Sequence, residues 1–285
     1  MRLCRFNEGR LGIAEGSHVR DVTAALDVLP TYRYPLPSFD VLIADLDEVT
    51  ARAKAITDNS SSIPLASVKL LSPVANPGKI IGAPVNYQKH LDEARTDTGI
   101  HHNKEVAVIH RAGVFLKATS SLVGPGEGIA LRKLDRRTDH EVEVALVIGK
   151  RAHNVSSKDA LGYIAGYAIC LDITVRGSEE RSLRKSIDTY TVLGPWLVTA
   201  DEISDPGQLD LNISVNGEVR QSSNTRNLIM NIPDLIEFAS SFYTLHPGDV
   251  ITTGTPEGVS PLSPGDLIVA TVEKIGSMEV RVRAL

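Results

Sequence analysis

The chain has 285 residues, 42% of them hydrophobic, and a formal net charge of −5 with no long block of one sign. That length exceeds a single small domain and supports a substantial core, while the scattered basic residues leave no electrostatic footprint for nucleic acid. Cys4 and Cys170 are too few for a disulfide framework, and no apolar stretch has the form of a signal peptide or membrane span, so a soluble, cytoplasmic protein is expected.

The first unit is expected to run to about Leu70. Asp21 reads as the cap of a helix whose Val22, Ala25, Leu26 and Leu29 recur at helical spacing before Pro30. A second helix carries Leu42, Leu46, Val49 and Ala53, with Ser38 as its cap after the Tyr34-Pro-Leu-Pro37 turn. Prolines and a glycine between Ala66 and Lys79 read as an irregular linker, dividing the chain into a small N-terminal domain, 1–70, and a second domain, 71–285. From Ile80 onward, short β-branched runs separated by Gly and Pro fall near 114–116, 141–148, 167–174, 196–199, 209–215, 250–253, 267–272 and 278–282. Many short strands with few helices indicate a mainly β, barrel-like or rolled sheet. Asn216-Gly217 marks a tight hairpin. One strong helix follows, with Pro233 in its first turn and Leu235, Phe238, Ala239 and Phe242 as its core stripe.

Candidate chemistry concentrates in two of these runs. In Asp139-His-Glu-Val-Glu-Val-Ala-Leu-Val-Ile-Gly149, strand alternation puts Glu141 and Glu143 on one face. Asp172 lies in a second run, where Cys170, Asp172 and Thr174 alternate with Leu171 and Ile173. Alternating polar residues usually face solvent, and for the Glu-Val-Glu pattern alone that reading comes first. Three converging carboxylates, however, would resist joint ionisation without a cation. An all-oxygen set favours Mg²⁺, Mn²⁺ or Ca²⁺ over zinc and leaves positions open for water and substrate.

Other segments are ambiguous by themselves. His90 and Glu93 share a helical face if their segment is helical, and a His held by a carboxylate is a usable base; alone, His90 reads as a surface residue. Arg176 and Lys185 read equally as solvated charges. His101 and His102 are expected to be solvated. Thr252-Thr-Gly-Thr-Pro-Glu-Gly258 is a turn whose amides could approach an anion, but it lacks the lysine and length of a P-loop.

The order Asn86-Tyr-x-x-His90, Phe115-Leu-Lys-x-x-Ser-Ser121, Asp139-x-Glu-x-Glu143, Gly166-Tyr-x-Ile-x-x-Asp-Ile-Thr174, Lys185-Ser-x-Asp188, Leu193-Gly-Pro195 and Thr253-Gly-Thr-Pro256 resembles the fumarylacetoacetate hydrolase family over roughly residues 70 to 285. The resemblance implies a mixed β-sandwich roll with a small N-terminal α/β domain, commonly homodimeric. It implies Mg²⁺ or Mn²⁺ held by Glu141, Glu143 and Asp172, with His90 and Glu93 on a short lid helix and Lys185 as the catalytic lysine. Arg176, Gly254 and Thr255 fall on substrate-binding positions. The implied substrate is a small 2-oxo acid.

Hydrolysis of a C–C bond in an acylpyruvate or fumarylpyruvate-like 1,3-diketo acid, in aromatic or sugar-acid catabolism, is the first expectation. Decarboxylation or keto-enol isomerisation of a 2-oxo diacid is the alternative, and a non-catalytic use of the carboxylates is the third. One departure bears on the choice. Many relatives have Asp directly after the arginine and Gln two residues later, where this chain has Gly177 and Glu179. A carboxylate beside a developing enolate is expected to hinder its formation.

Overall fold

The computed structural model describes residues 1–285 and is mainly β with some α. A twelve-stranded sheet runs, in spatial order, through Ser62–Pro64, His18–Asp21, Arg10–Glu15, Arg2–Phe6, Thr191–Thr199, Ile164–Asp172, Val142–Ile148, Val250–Thr252, Ile80–Gly82 and Phe115–Lys117, with Leu70–Leu71 and Leu122–Val123 paired at its side. A five-stranded sheet orders Glu218–Asn224, Asp210–Val215, Leu267–Val272, Gly276–Ala284 and Ile129–Leu131. Thr174–Val175, Thr138–His140 and Ser260–Pro261 form a third, small sheet. Strand Arg2–Phe6 pairs with Thr191–Thr199, so the N-terminal strands extend the same large sheet. No helix is long and apolar enough to cross a membrane.

The large sheet is apolar on both faces, which its central strands require. Val142, Val144, Leu146 and Ile148 point into a core shared with Ile213, Ile268 and Val280 of the five-stranded sheet. The opposite face, with Ala145, Val147, Ala168, Cys170 and Val250, packs against Ile43. Period-2 alternation therefore puts Glu143 on the face of Ala145 and Val147, at the end where the apolar cover stops.

The local readings need several corrections. Asp21 accepts from the amide and hydroxyl of Thr23, so the first helical segment is a short 3₁₀ turn, Thr23–Val28, rather than a capped α-helix. The second helix is broken at Asp45 into Val41–Ala44 and Leu46–Thr57, and its cap is Asp40, not Ser38. Phe242 lies outside the expected stripe and is 67% exposed, because helix Ile232–Phe242 buries Ile232, Leu235, Ile236 and Ala239. The run near 141–148 is two strands, Thr138–His140 and Val142–Ile148, separated at Glu141. The run near 196–199 extends back to Thr191 through Pro195. The proline is tolerated because the register against Ile164–Asp172 is irregular between Tyr167 and Ile169. The Asn216-Gly217 hairpin forms as expected, with both residues at positive φ and Val215 opposite Glu218.

Asp40 does more than cap. Its Oδ1 accepts from the Ile43 amide at 3.1 Å, while Oδ2 accepts from the amides of Ala75 and Asn76 at 3.0 and 2.9 Å. It is 2% exposed and clamps the helix to the linker that precedes Ile80. Replacing it by Ala strands three backbone donors, so Asp40→Ala is expected to cost about 2–4 kcal/mol in a urea-unfolding measurement. A loss below about 0.5 kcal/mol would contradict the clamp.

Candidate functional site

Residues Glu141, Glu143 and Asp172 come together, the first two through alternation along one run and Asp172 through the register of the neighbouring strand. Glu143 pairs with Cys170 across neighbouring strands, which sets Glu141 opposite Asp172, and the Asp172 amide donates to the Glu141 carbonyl at 2.9 Å. Ligand oxygens from the three carboxylates lie within 4.8 Å of one another, and all three residues are buried.

Cations surround two of the three. Glu141 accepts from Arg176 Nη2 at 2.9 Å and from Lys185 Nζ at 2.7 Å. Asp172 accepts from Lys185 at 2.7 Å and, on its other oxygen, from Lys117, which also donates to the Tyr190 carbonyl at 2.9 Å. Arg176 Nε is held by Asp139 at 2.8 Å, and Asp139 is held in turn by Arg137 at 2.8 Å. Burial opposes ionisation of Glu141, but Lys185 and Arg176 overcome it and hold the carboxyl well below its usual range.

Glu143 is different. It forms no ion pair; Oε2 accepts only the Gly254 amide, at 2.8 Å. Burial, reinforced by the negative charge of Asp172, pushes its carboxyl up to about 8. A buried carboxylate that lacks a cation, beside two that have theirs, fits a divalent ion bound by hard oxygen donors. The three carboxylates could hold such an ion.

Residue His90 lies on helix Gln88–Thr96 and is 5% exposed, not a surface residue. Its Nδ1 meets Glu93 Oε2 at 2.8 Å, and Glu93 Oε1 accepts from the Gly258 amide at 2.9 Å. The ring is thus held from one side while it lines the same cavity as the carboxylates. The 252–258 turn is shaped by Gly254, whose φ is +88° and where a Cβ would lie 2.8 Å from Asn86 Cβ. Its amide already serves Glu143. In the neighbouring Thr255, Oγ1 accepts from Gln221 Nε2 at 2.8 Å, which leaves the hydroxyl hydrogen free to donate into the cavity. Arg176 lines the cavity as well, although its bonds run to Asp139 and Glu141. Lys185 donates a third bond to Thr174 Oγ1 at 2.6 Å.

The feared charge of Glu179 is answered by its surroundings. Arg136 clamps that carboxylate through two bonds of 2.8 and 2.9 Å and holds it down to about 2. Gly177 makes room for the pair, since a Cβ there would lie 1.8 Å from Arg136 Nη2 and 2.2 Å from Glu179 Oε2. His101 lines the cavity wall rather than standing in bulk solvent, and His102 ends the Thr98–His101 turn at φ 46°.

Sequence reasoning assigned no role to Lys117, Asp139, Arg137, Gln221 or Asn86. Lys117 stood in a quoted motif, and its apolar strand was the signal that it points inward. Gln221 Oε1 accepts from the Val142 amide at 3.1 Å while its Nε2 holds Thr255, so the five-stranded sheet sets the turn. Asn86 bridges Met230 and the Thr253 carbonyl.

Residues 79–283 match the fumarylacetoacetate (FAA) hydrolase C-terminal family. The chain belongs to the fumarylacetoacetate hydrolase family. Within it, the chain is 57% identical over 287 residues to the maleylpyruvate hydrolase of Aquipseudomonas alcaligenes, covering 100% of both. A solved structure of maleylpyruvate hydrolase from Sphingobium sp. SYK-6, in complex with manganese (II) ion and pyruvate, is 39% identical, with a TM-score of 0.85 over 100% of this chain and 99% of that one. The mitochondrial oxaloacetate tautomerase Fahd2a of Rattus norvegicus is 34% identical over 295 residues, covering 97% of this chain and 90% of that protein.

Because Glu143 holds its proton up to about pH 8 and a cation must displace it, Mn²⁺ affinity is expected to rise with pH and level off above about 8. Calorimetry at pH 7 in buffers of different ionisation enthalpy is expected to show proton release. An affinity that is flat from pH 6 to 8, with no proton released, would contradict the assignment.

Proposed function

We propose that this family member is a divalent-metal-dependent hydrolase that cleaves the C–C bond of an acylpyruvate, with maleylpyruvate the first candidate, and that the ion is Mg²⁺ or Mn²⁺ on Glu141, Glu143 and Asp172. One observation carries the choice of hydrolysis: an imidazole fixed on one side by Glu93 and Gly258 faces the cavity beside the carboxylates. The full-length likeness to a maleylpyruvate hydrolase supports the same choice.

The ion, when bound, supplies Lewis acidity toward a 2-oxo acid and stabilises negative charge on its oxygen. The chain's own residues do the rest. His90 takes a proton from water at Nε2, and Glu93 stabilises the resulting imidazolium. The hydroxide adds to the distal ketone carbon. Lys185, in exchange for one of its carboxylate partners, stabilises the oxyanion so formed. The C–C bond on the pyruvyl side then breaks, its electron pair becoming the enolate of pyruvate. The proton held by His90 returns to that carbon, so the products are pyruvate and one carboxylic acid. Thr255 and Arg176 orient the 2-oxo acid end. Helix Gln88–Thr96 covers the site, so its ordering and exclusion of water are coupled to catalysis.

The test is pyruvate release by Mn²⁺-loaded protein from a panel of acylpyruvates, with oxaloacetate alongside. One pyruvate per acid is expected, and His90→Ala is expected to lower kcat by about 10²–10⁴ with Mn²⁺ affinity retained. Glu141→Ala is expected to lose both the ion and activity. Absence of pyruvate from every acylpyruvate, together with turnover of oxaloacetate, would overturn hydrolysis in favour of the tautomerase or decarboxylase reading.

A further inference from the structure

The cavity beyond the three carboxylates is walled by cations that differ in what they already hold. Arg176 and Lys185 are committed to Asp139, Glu141 and Asp172. Arg184 donates to the Glu179 carbonyl at 2.9 Å, and Lys104 donates to the Ser178 carbonyl. On the acidic side, Glu179 is paired with Arg136 and Glu105 with Arg111. Arg181 alone among the arginines and lysines of this wall is half-buried with neither a hydrogen bond nor an ion pair to any group of the chain. Its neighbour Glu180 is exposed and does not reach ion-pair distance. Burial lowers the guanidinium's affinity for its proton, with Glu141 and Glu180 compensating only in part. A guanidinium that lines a cavity with no acceptor from the chain is available to a ligand, and a carboxylate is the partner its planar fork fits best.

Its place along the wall sets a ruler. Arg181 and Lys185 stand four residues apart in helix Arg181–Lys185, so they share a face about one turn, roughly 5.4 Å, apart. Lys185 stands over the carboxylate cage where the 2-oxo acid end is placed. Arg181 lines the same cavity one turn along the helix from Lys185, within reach of the far end of a ligand whose 2-oxo acid end occupies the cage.

We propose that Arg181 binds the distal carboxylate of a dicarboxylic 2-oxo acid, so that the site selects substrates with a second carboxylate beyond the reacting carbonyl. This rests on the 2-oxo acid reading above and adds the residue that sets the substrate class. A neutral acyl tail would cover the guanidinium without pairing it, so selection works by penalty as well as by attraction.

Binding separates the proposal from catalysis. Mn²⁺-loaded protein is titrated calorimetrically with 2-oxoadipate and with 2-oxohexanoate, equal in length but ending in a methyl group. The wild type is expected to favour the dicarboxylate by about 30-fold. Arg181→Gln is expected to bring the two within about 3-fold by weakening 2-oxoadipate alone, and Arg181→Lys to retain part of the preference. Binding of 2-oxohexanoate reports that the variant is folded. Equal binding by the wild type, a preference undiminished in Arg181→Gln, or equal loss of both ligands would overturn the proposal. If neither acid binds the wild type, the 2-oxo acid reading fails and the proposal with it. If the preference stands but no acylpyruvate yields pyruvate, only hydrolysis fails.

Discussion

Compensation of buried charge is the constraint on which the centre of this molecule depends. Asp139, Glu141, Glu143 and Asp172 are all buried at one end of the large sheet. Carboxylates withdrawn from water together are untenable unless paired and hydrogen-bonded, and loss of one partner from such a pair typically costs about 3–5 kcal/mol. Arg137, Arg176, Lys117 and Lys185 supply the pairs, drawn from four separate segments that the pairing ties together. Glu143 is the one left without an ion pair, and that imbalance is what the proposed divalent ion would answer.

The sheet gives the cage its place. Small side chains at Ala145, Ala168 and Cys170 carry the apolar face up to Glu143 and Asp172, so the carboxylates sit where apolar packing ends and a cavity begins. The five-stranded sheet reaches the same point through Gln221, which positions Thr255, while Asn86 and the Glu93–Gly258 bond join the entry of helix Gln88–Thr96 to the 252–258 turn. Base, turn and carboxylates are thus braced against one another by buried hydrogen bonds. Such bracing is what a preorganised site requires.

Legibility in the sequence followed the range of the interaction. Alternation is local, so Glu141 and Glu143 could be placed on one face from spacing and the Asn216-Gly217 turn read from two residues, whereas the meeting with Asp172 depends on how two strands pair. The long-range ion pairs were not legible, because Lys117 lies 55 residues from Asp172 and Arg176 lies 37 from Asp139. Glu179 looked harmful because Arg136, 43 residues earlier, could not be connected to it. Periodicity within a helix does not report the break at Asp45 or the exposure of Phe242, because it does not say which positions tertiary packing covers.

The carboxylate cage is proposed to hold a divalent ion with positions open to a chelating 2-oxo acid. Its most direct test is the electron paramagnetic resonance of Mn²⁺ bound to the protein, recorded with unlabelled pyruvate and with pyruvate carrying ¹⁷O in its carboxylate and keto groups. The label is expected to broaden the Mn²⁺ lines, as it would if both oxygens entered the ion's inner sphere. Tight Mn²⁺ binding with pyruvate bound and no broadening would contradict it.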